Sequence, residues 1–426
     1  MENEKSENRL LTRVLAGILC AFALVGAFVL GFFSRQWTLP KAVREAQNVL
    51  EIIEKNYVGD FDEDEFIRSA VQGSLDRYSA YYTPSDYSQV TLHREGVSQG
   101  VIGVSFYSDS NVIYSVSGNS PAERAGISDG GKVVGIKLSA EGEYAPVGSY
   151  SEFYSVYAQA RRGETFYLKI EYGGEVKEFA VAKGNYIESY VWYQDENGSY
   201  NCALDGKEWK LVEREKPLKS HINEGFAYIK LSSFNGAAAE QMELALGKMK
   251  ENGIKKLVLD LRNNGGGYMD ILIEIAGRLI PGKAKQVVSS VVYKSGAKYE
   301  FSTTANHYDE YGFERISVLG NEGTASASEA LIGAILDYDA TNNKNIVRVI
   351  VSKASDGTFR TYGKGIMQTT FELAGGSAIK LTTAKIYWPT SGVCIHGTGV
   401  TPDTDSRVTG VAPVSGTDAE LEAAMN

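Results

Sequence analysis

The sequence predicts a multidomain chain of mixed α/β and α+β class, and three patterns predict it. Between Val14 and Phe33 twenty residues pass without a charge. From about Gly96 to Ala182, short β-rich runs are separated by Gly, Ser and Asn turns. Beyond Glu224, near-continuous apolar strands alternate with helical segments, as in a sheet covered on both faces. The 426 residues suggest two or three domains at roughly 100–200 residues each.

The apolar run is long enough to cross a hydrocarbon layer of about 30 Å as a helix. Arg13 and Arg35 bracket it, and Trp37 stands where an interfacial aromatic would. A secretory signal is the rival reading, but the run exceeds a usual h-region and no A-x-A-like site follows, so an uncleaved anchor is favoured. Orientation is undecided by charge: Lys5, Arg9 and Arg13 on one side match Arg35, Lys41 and Arg44 on the other.

Residues 41–82 read as helices. Val43, Ala46, Val49, Leu50, Ile53 and Tyr57 recur at three- and four-residue spacing, and Pro84 marks a turn after a second amphipathic run. In the strand-rich stretch, VIGVSFYS, NVIYSVS, KVVGIKL, TFYLKIEY and VKEFAVA are strands, while SPAERAGI and Ser151–Ala160 are helices. Residues 186–224 read as a polar insert with hairpin turns at Glu196-Asn197-Gly198 and Asp205-Gly206. In the last part FAYIKLSSF and KKLVLDLR are strands, and Ala237–Met249 and Met269–Leu279 are helices.

Composition excludes several functions. With 43 Lys+Arg against 53 Asp+Glu the net charge is −10, which opposes nucleic-acid binding. Three cysteines make no disulfide framework, and with Cys20 in the apolar run only Cys202 and Cys394 could pair. Four histidines and no Cys/His cluster argue against a metal centre.

Three clusters could carry chemistry. Asp260-Leu261-Arg262-Asn263-Asn264-Gly265-Gly266-Gly267 follows a buried strand and precedes a helix, which presents backbone N–H groups to an anion or a developing oxyanion. It lacks the spacing of a phosphate loop. Thr324-Ala325-Ser326-Ala327-Ser328-Glu329 also lies between strand and helix. Ser326 there is either a nucleophile on a tight turn or the cap of a capping box with Glu329. In Tyr362-Gly363-Lys364-Gly365-Ile366-Met367-Gln368, Lys364 is a base if burial lowers its pKa, and otherwise a solvated turn lysine. Gln368, four residues on, would hold the amine by hydrogen bonding.

These clusters and their order resemble the carboxyl-terminal processing protease family, membrane-anchored or secreted Ser-Lys peptidases with a PDZ domain. The other markers are EKNYV at 54–58, SLDRYSAYYTPSDY at 74–87, SPAERAGI at 120–127, FAYIKLSSF at 226–234, and KLTTAKIYWPTSG through GTGVTPD at 380–403. The resemblance implies Ser326 as nucleophile, Lys364 as base, Gln368 as its partner, and the N–H groups of Gly266 and Ala327 as oxyanion hole. It implies a tail and anchor (1–37), a helical region (38–93) and a PDZ-like partly open barrel (94–185). Beyond the insert it implies a ClpP/crotonase-like α/β peptidase core (225–410) and a C-terminal tail (411–426). Substrate C-termini would add to the PDZ-like sheet, cradled after Gly100 by Val101, Ile102, Gly103 and Val104.

Two departures stand out: Gly265 where the family has Pro, and extra residues around Asp339–Gly357 that read as an elongated hairpin. The resemblance also implies an extracytoplasmic catalytic domain, protein or peptide substrates, no cofactor and no metal. The sequence leaves a homo-oligomer open. Two other readings stand: a Ser-His hydrolase using His221, His307 or His396, and a catalytically silent anchored PDZ scaffold.

Overall fold

The computed structural model describes residues 40–426 apart from 108, 215, 216, 284 and 415. The apolar run Val14–Phe33 lies outside the described residues; among the described residues no helix is long and apolar enough to cross a membrane. The chain divides into two units, one ending at Ala70 and one running from Val71 to Asn426. In the first, α1 (Lys41–Asn56) has no buried residue, and Val43, Val49 and Ile52 stay exposed along its apolar stripe. Helix α2 (Glu63–Ser74) opens with three acids at its positive end.

The helical reading of 41–82 fails after Ser74. Asp76 accepts from the N–H groups of Tyr78 and Ser79 and turns the chain, and Ala80–Tyr82 becomes an edge strand, β1. Helix α3 (Pro84–Arg94) follows, capped by Thr83, whose hydroxyl accepts from Asp86 N–H at 3.2 Å.

A small β domain comes next, with strands β2 (Val97–Val101), β3 (Val104–Phe106) and β4 (Ile113–Val116). A one-turn helix α4 (Pro121–Arg124) leads to β5 (Lys132–Lys137) and β6 (Ala145–Pro146). Helix α5 (Tyr150–Tyr157) leads to β7 (Thr165–Tyr172), β8 (Glu175–Ala182) and β9 (Gly184–Ile187). Ser120 and Ser149 cap the two helices by accepting from Glu123 and Glu152 N–H. Ile113, Val133, Ile136, Phe153, Phe166 and Ile170 form its own core.

The polar insert is instead part of the main sheet. Strands β10 (Val191–Gln194), β11 (Ser199–Asp205) and β12 (Glu208–Glu213) form a meander through the two expected turns. The meander pairs antiparallel onto β13 (Phe226–Leu231). Its polar residues misled because this edge is solvated on one side, while Tyr193 and Trp209 face the core.

From β13 the chain alternates: α6 (Ala238–Glu251), β14 (Lys256–Asp260), α7 (Met269–Leu279), β15 (Val287–Tyr293), β16 (Lys298–Ser302), β17 (Arg315–Gly320), α8 (Ala327–Thr341) and β18 (Val347–Ser352). Then follow β19 (Ile366–Glu372), β20 (Ala378–Tyr387), β21 (Val408–Val411) and α9 (Ala419–Met425). Among the described residues the main sheet has eight strands in the order β12-β11-β10-β13-β14-β17-β18-β21, parallel from β13 onward. A second sheet runs β1-β20-β15-β16, with β19 paired to β20.

Both faces of the parallel strands are covered, which explains their apolar runs. Ala227, Ile229, Leu257, Leu259 and Val318 pack toward α6, α7 and α8, while Phe226, Tyr228, Val258 and Leu319 pack toward α9. The supposed C-terminal tail, 411–426, instead starts on the last residue of β21 and ends in a helix of the fold, with Leu421, Ala424 and Met425 buried. The stretch 339–357 is no hairpin: it is the end of α8, a turn and the parallel strand β18. Cys202 and Cys394 are both free. Cys202 is buried, and burial pushes its thiol up to about 12.

Helix α8 is buried from Ala327 through Asp339, so its small residues are chosen by packing. At Gly333 a Cβ would lie 2.2 Å from the Trp388 ring. Alanine raises helix propensity by about 1 kcal/mol, but overpacking costs about 1–3 kcal/mol. With the contact this short the upper end of that cost applies, so Gly333→Ala is expected to lower stability by up to about 2 kcal/mol, read as a lower urea midpoint.

Candidate active site

The three clusters meet at the carboxyl ends of the parallel strands, where α/β sheets place their ligands. The glycine loop leaves β14, the Ser326 turn leaves β17, and Tyr362–Gly365 precedes β19. One open cleft of about 850 Å³ is lined by Gly266, Ser326, Ala327, Lys364 and Gln368, with His93 at another wall.

Ser326 has φ 59° and ψ −114°, a sparsely populated conformation for a residue with a side chain, costing about 1–3 kcal/mol. The strain is sustained by Glu329, which is fully buried. Its carboxylate accepts from Ser326 N–H at 2.9 Å, Lys364 N–H at 2.8 Å, Gly363 N–H at 2.7 Å and the Thr361 hydroxyl at 2.5 Å. Burial pushes this carboxyl above the ordinary range, and the four donors pull against that. The two sequence readings of Ser326 thus coincide: Glu329 takes the backbone N–H in the manner of a capping box, and the serine still lines the cleft.

Asn264 joins the glycine loop to this turn. It is fully buried, its amide donates to Leu231 C=O at 2.9 Å, and its own C=O accepts from Ala325 N–H and the Ser328 hydroxyl. Its Oδ1 accepts from Gly266 N–H at 2.9 Å, so that expected oxyanion donor is occupied in this structure. Ala327 N–H opens helix α8 and makes no hydrogen bond among the described residues, as first-turn donors do. Gly266 itself must be glycine: φ is +102°, and a Cβ would stand 2.9 Å from Ala327 N and Ser326 Cβ. The loop's other end is held by Arg262, paired with the buried Asp260 at 2.6 Å and with Asp418 at 2.7 Å. Arg262 holds the Asp260 carboxyl down to about 2 against the opposing effect of burial.

Lys364 Nζ makes no hydrogen bond or ion pair among the described residues. Its pKa is lowered mainly by burial and further by the charge of Lys380, with Glu329 and Asp76 opposing. Gln368 lines the cleft but donates to the Thr382 hydroxyl at 3.3 Å, its cross-strand neighbour, and leaves Lys364 unbonded. The register shift here leaves Thr383 of β20 as the extra residue and sets Gln368 opposite Thr382, while Lys364 lies ahead of β19.

Of the histidines proposed for a Ser-His site, His221 lies in a separate surface pocket, His307 pairs with Glu310 at 2.8 Å, and His396 lines a neighbouring pocket. His93, which sequence reasoning passed over, is the one in the cleft, 3.1 Å from Asn235 Nδ2. Among the described residues no group of His, Cys, Asp and Glu could hold a metal ion.

In the small domain Val101 ends β2, Ile102 is buried with its C=O accepting from Ala122 N–H, Gly103 has φ +79°, and Val104 opens β3. The Ile102 N–H is directed at the Tyr157 hydroxyl, whose pKa burial pushes up to about 12. This domain touches the glycine loop through Tyr114, whose hydroxyl donates to Asn263 C=O at 3.1 Å.

Residues 225–406 match the family model of Peptidase family S41. Over 370 residues the chain is 30% identical to a probable CtpA-like serine protease of Staphylococcus aureus, covering 85% of this chain and 64% of that protein. A probable CtpA-like serine protease of Staphylococcus epidermidis is 28% identical over 369 residues, 85% of this chain and 65% of that one. The fold is similar to that of a putative S41 protease from Bacteroides fragilis, with a TM-score of 0.52 at 17% identity over 87% of this chain and 91% of the other. This chain spans just under two thirds of the length of the curated relatives. The agreement is with serine peptidases throughout. Residues 225–406 are thus similar to the S41 peptidases, and the chain over most of its length is similar to CtpA-like serine proteases.

Glu329→Ala would strand four donors without their acceptor. At about 1–3 kcal/mol for each unsatisfied buried group, the variant is expected to lose at least about 3 kcal/mol, measured as a fall in urea midpoint.

Proposed function

We propose that this chain is a serine endopeptidase working through a Ser326–Lys364 dyad. The observation that carries the reading is a strained serine and a half-buried lysine lining one cleft, their loops tied to the same buried carboxylate. The similarity of residues 225–406 to S41 peptidases supports it. Neutral Lys364 takes the proton of Ser326 Oγ as that oxygen bonds to the peptide carbonyl carbon. The oxyanion is stabilised by Ala327 N–H and by Gly266 N–H once the latter turns from Asn264. As the C–N bond breaks, the lysine ammonium protonates the leaving amine, and water then attacks the acyl-enzyme with Lys364 again as base.

The small β domain is proposed to bind substrate C-termini in the manner of a PDZ domain, with 101–104 as the cradle. That role requires Tyr157 to yield the Ile102 N–H. The run Val14–Phe33 is proposed as a single membrane anchor with the catalytic domain outside the cytoplasm. Gln368 is proposed to act on Lys364 only after leaving Thr382.

Ser326→Ala and Lys364→Ala are each expected to cut hydrolysis of an unfolded protein by at least about 10³-fold while thermal unfolding stays cooperative. Replacing His93, His221, His307 or His396 should leave turnover within a few-fold. Retained hydrolysis in Lys364→Ala together with loss in a histidine variant would favour a Ser-His hydrolase. Peptide binding without turnover in the wild type would favour the silent scaffold.

The lowered pKa of Lys364 also sets a pH profile. Only the neutral amine accepts a proton, so kcat/KM should rise with pH through a single group below the ordinary 10.5. Lys380→Met removes a like charge that disfavours the ammonium, so it should move that rise to higher pH. Steady-state kinetics across pH check both.

A further inference from the structure

The segment Asp76–Tyr82 stands apart from the serine, the lysine and the glycine loop in sequence, yet it is built against the lysine. Strand β1 pairs antiparallel with β20, Ala80 opposite Lys380 and Tyr82 opposite Ala378. That pairing sets the preceding turn beside Thr382, the residue that engages Gln368. The turn is rigid: Asp76 Oδ1 accepts from Tyr78 N–H and Ser79 N–H, each at 2.9 Å, and from the Ser79 hydroxyl at 3.2 Å. Thr382 N–H donates to the Ser79 hydroxyl at 3.4 Å.

Tyr78 projects from this turn, and Lys364 Nζ stands 5.0 Å from the centroid of its ring. The far end of the ring is held as well. Its hydroxyl donates to the Tyr362 hydroxyl at 3.4 Å and accepts from Arg77 Nη2 at 2.9 Å. The Arg77 guanidinium lies 5.0 Å from the Tyr78 ring and 5.5 Å from that of Tyr362. Tyr362 is two residues before the lysine, and its N–H donates to Thr324 C=O, two residues before the serine.

We propose that Tyr78 is a positioning residue for Lys364, its ring forming the fixed wall that keeps water from one side of the amine. The proposal rests on Lys364 being the base. Two opposing effects follow from the ring. By excluding water it disfavours the ammonium, an effect that can reach several pKa units for a buried lysine. By its π face it favours the ammonium, by about 0.5–2 kcal/mol, or up to roughly one and a half units. Exclusion of water is the larger. The other groups facing the amine are Lys380 on β20, which also disfavours its charge, and Glu329 on α8 and Asp76 in the turn, which favour it. Arg77 and Tyr362 meet the hydroxyl end of the Tyr78 ring.

The test is kcat/KM against pH for hydrolysis of fluorescently labelled, unfolded casein by the full chain. Tyr78→Phe keeps the ring and should keep the rising limb where the wild type has it. Tyr78→Ala admits water and should move the limb to higher pH by about one unit, a loss of about tenfold at pH 7 that is recovered at alkaline pH. Tyr78→Leu, apolar but smaller, should fall between the two, and the Phe and Leu variants decide the matter if Ala does not fold. A loss of equal size at every pH, a limb moved to lower pH, or no change in Tyr78→Ala would overturn the proposal, given an inactive Lys364→Ala. Activity in Lys364→Ala would instead overturn the dyad itself.

Discussion

The buried carboxylate of Glu329 joins two chain segments that are distant in sequence, the turn at Ser326 and the run Thr361–Lys364. A charge in an apolar interior is costly unless its lone pairs are filled, and here each oxygen accepts two hydrogen bonds. The strained backbone at Ser326 persists because its N–H has this acceptor, and the lysine is brought to the cleft because its N–H shares it. Through Asn264, whose C=O takes Ala325 N–H and the Ser328 hydroxyl, the glycine loop is locked to the same point. The site is thus three loops fastened by two buried polar side chains, set on the rigid carboxyl edge of a parallel sheet.

Much of this was legible in the sequence because parallel strands and packed helices have strong signatures. The runs KLVLD and RISVLG are apolar because helices cover both faces, and helix Met269–Leu279 matches its expected bounds. The three clusters stood out because small residues after buried strands are unusual outside turns that approach other backbone. The meander at 191–213 was misjudged because an edge sheet with one solvated face looks polar from composition alone. The tail at 411–426 was misjudged because a seven-residue helix carries too few turns for a periodicity to emerge. The partners of Gln368 and of Gly266 N–H were not legible at all. Both depend on which neighbour a flexible or short polar group meets in space, Thr382 in one case and Asn264 in the other.

The small β domain and the α/β core are joined by polar contacts as well as chain. Glu123 pairs with Arg214 and accepts from Trp192 Nε1, and Asp129 pairs with Lys230. Contacts of this kind hold a relative position without a large apolar area, so they are weaker than the cores on either side. Tyr114 on Asn263 then puts a residue of the small domain one position from Asn264.

The ion pair between Arg262 and Asp418 spans 156 residues of chain. Contacts of such separation are slow to form, because the entropy of closing a long loop must be met before they reward it. Helix α9 can dock only on strands already assembled, since it packs on Tyr228, Val258, Leu319 and Ile350 from separate segments of the core. The turn that carries the glycines is therefore completed late in folding, after the sheet beneath it. A growing chain emerging from the ribosome thus carries the glycine loop, Ser326 and Lys364 well before the helix that steadies that loop.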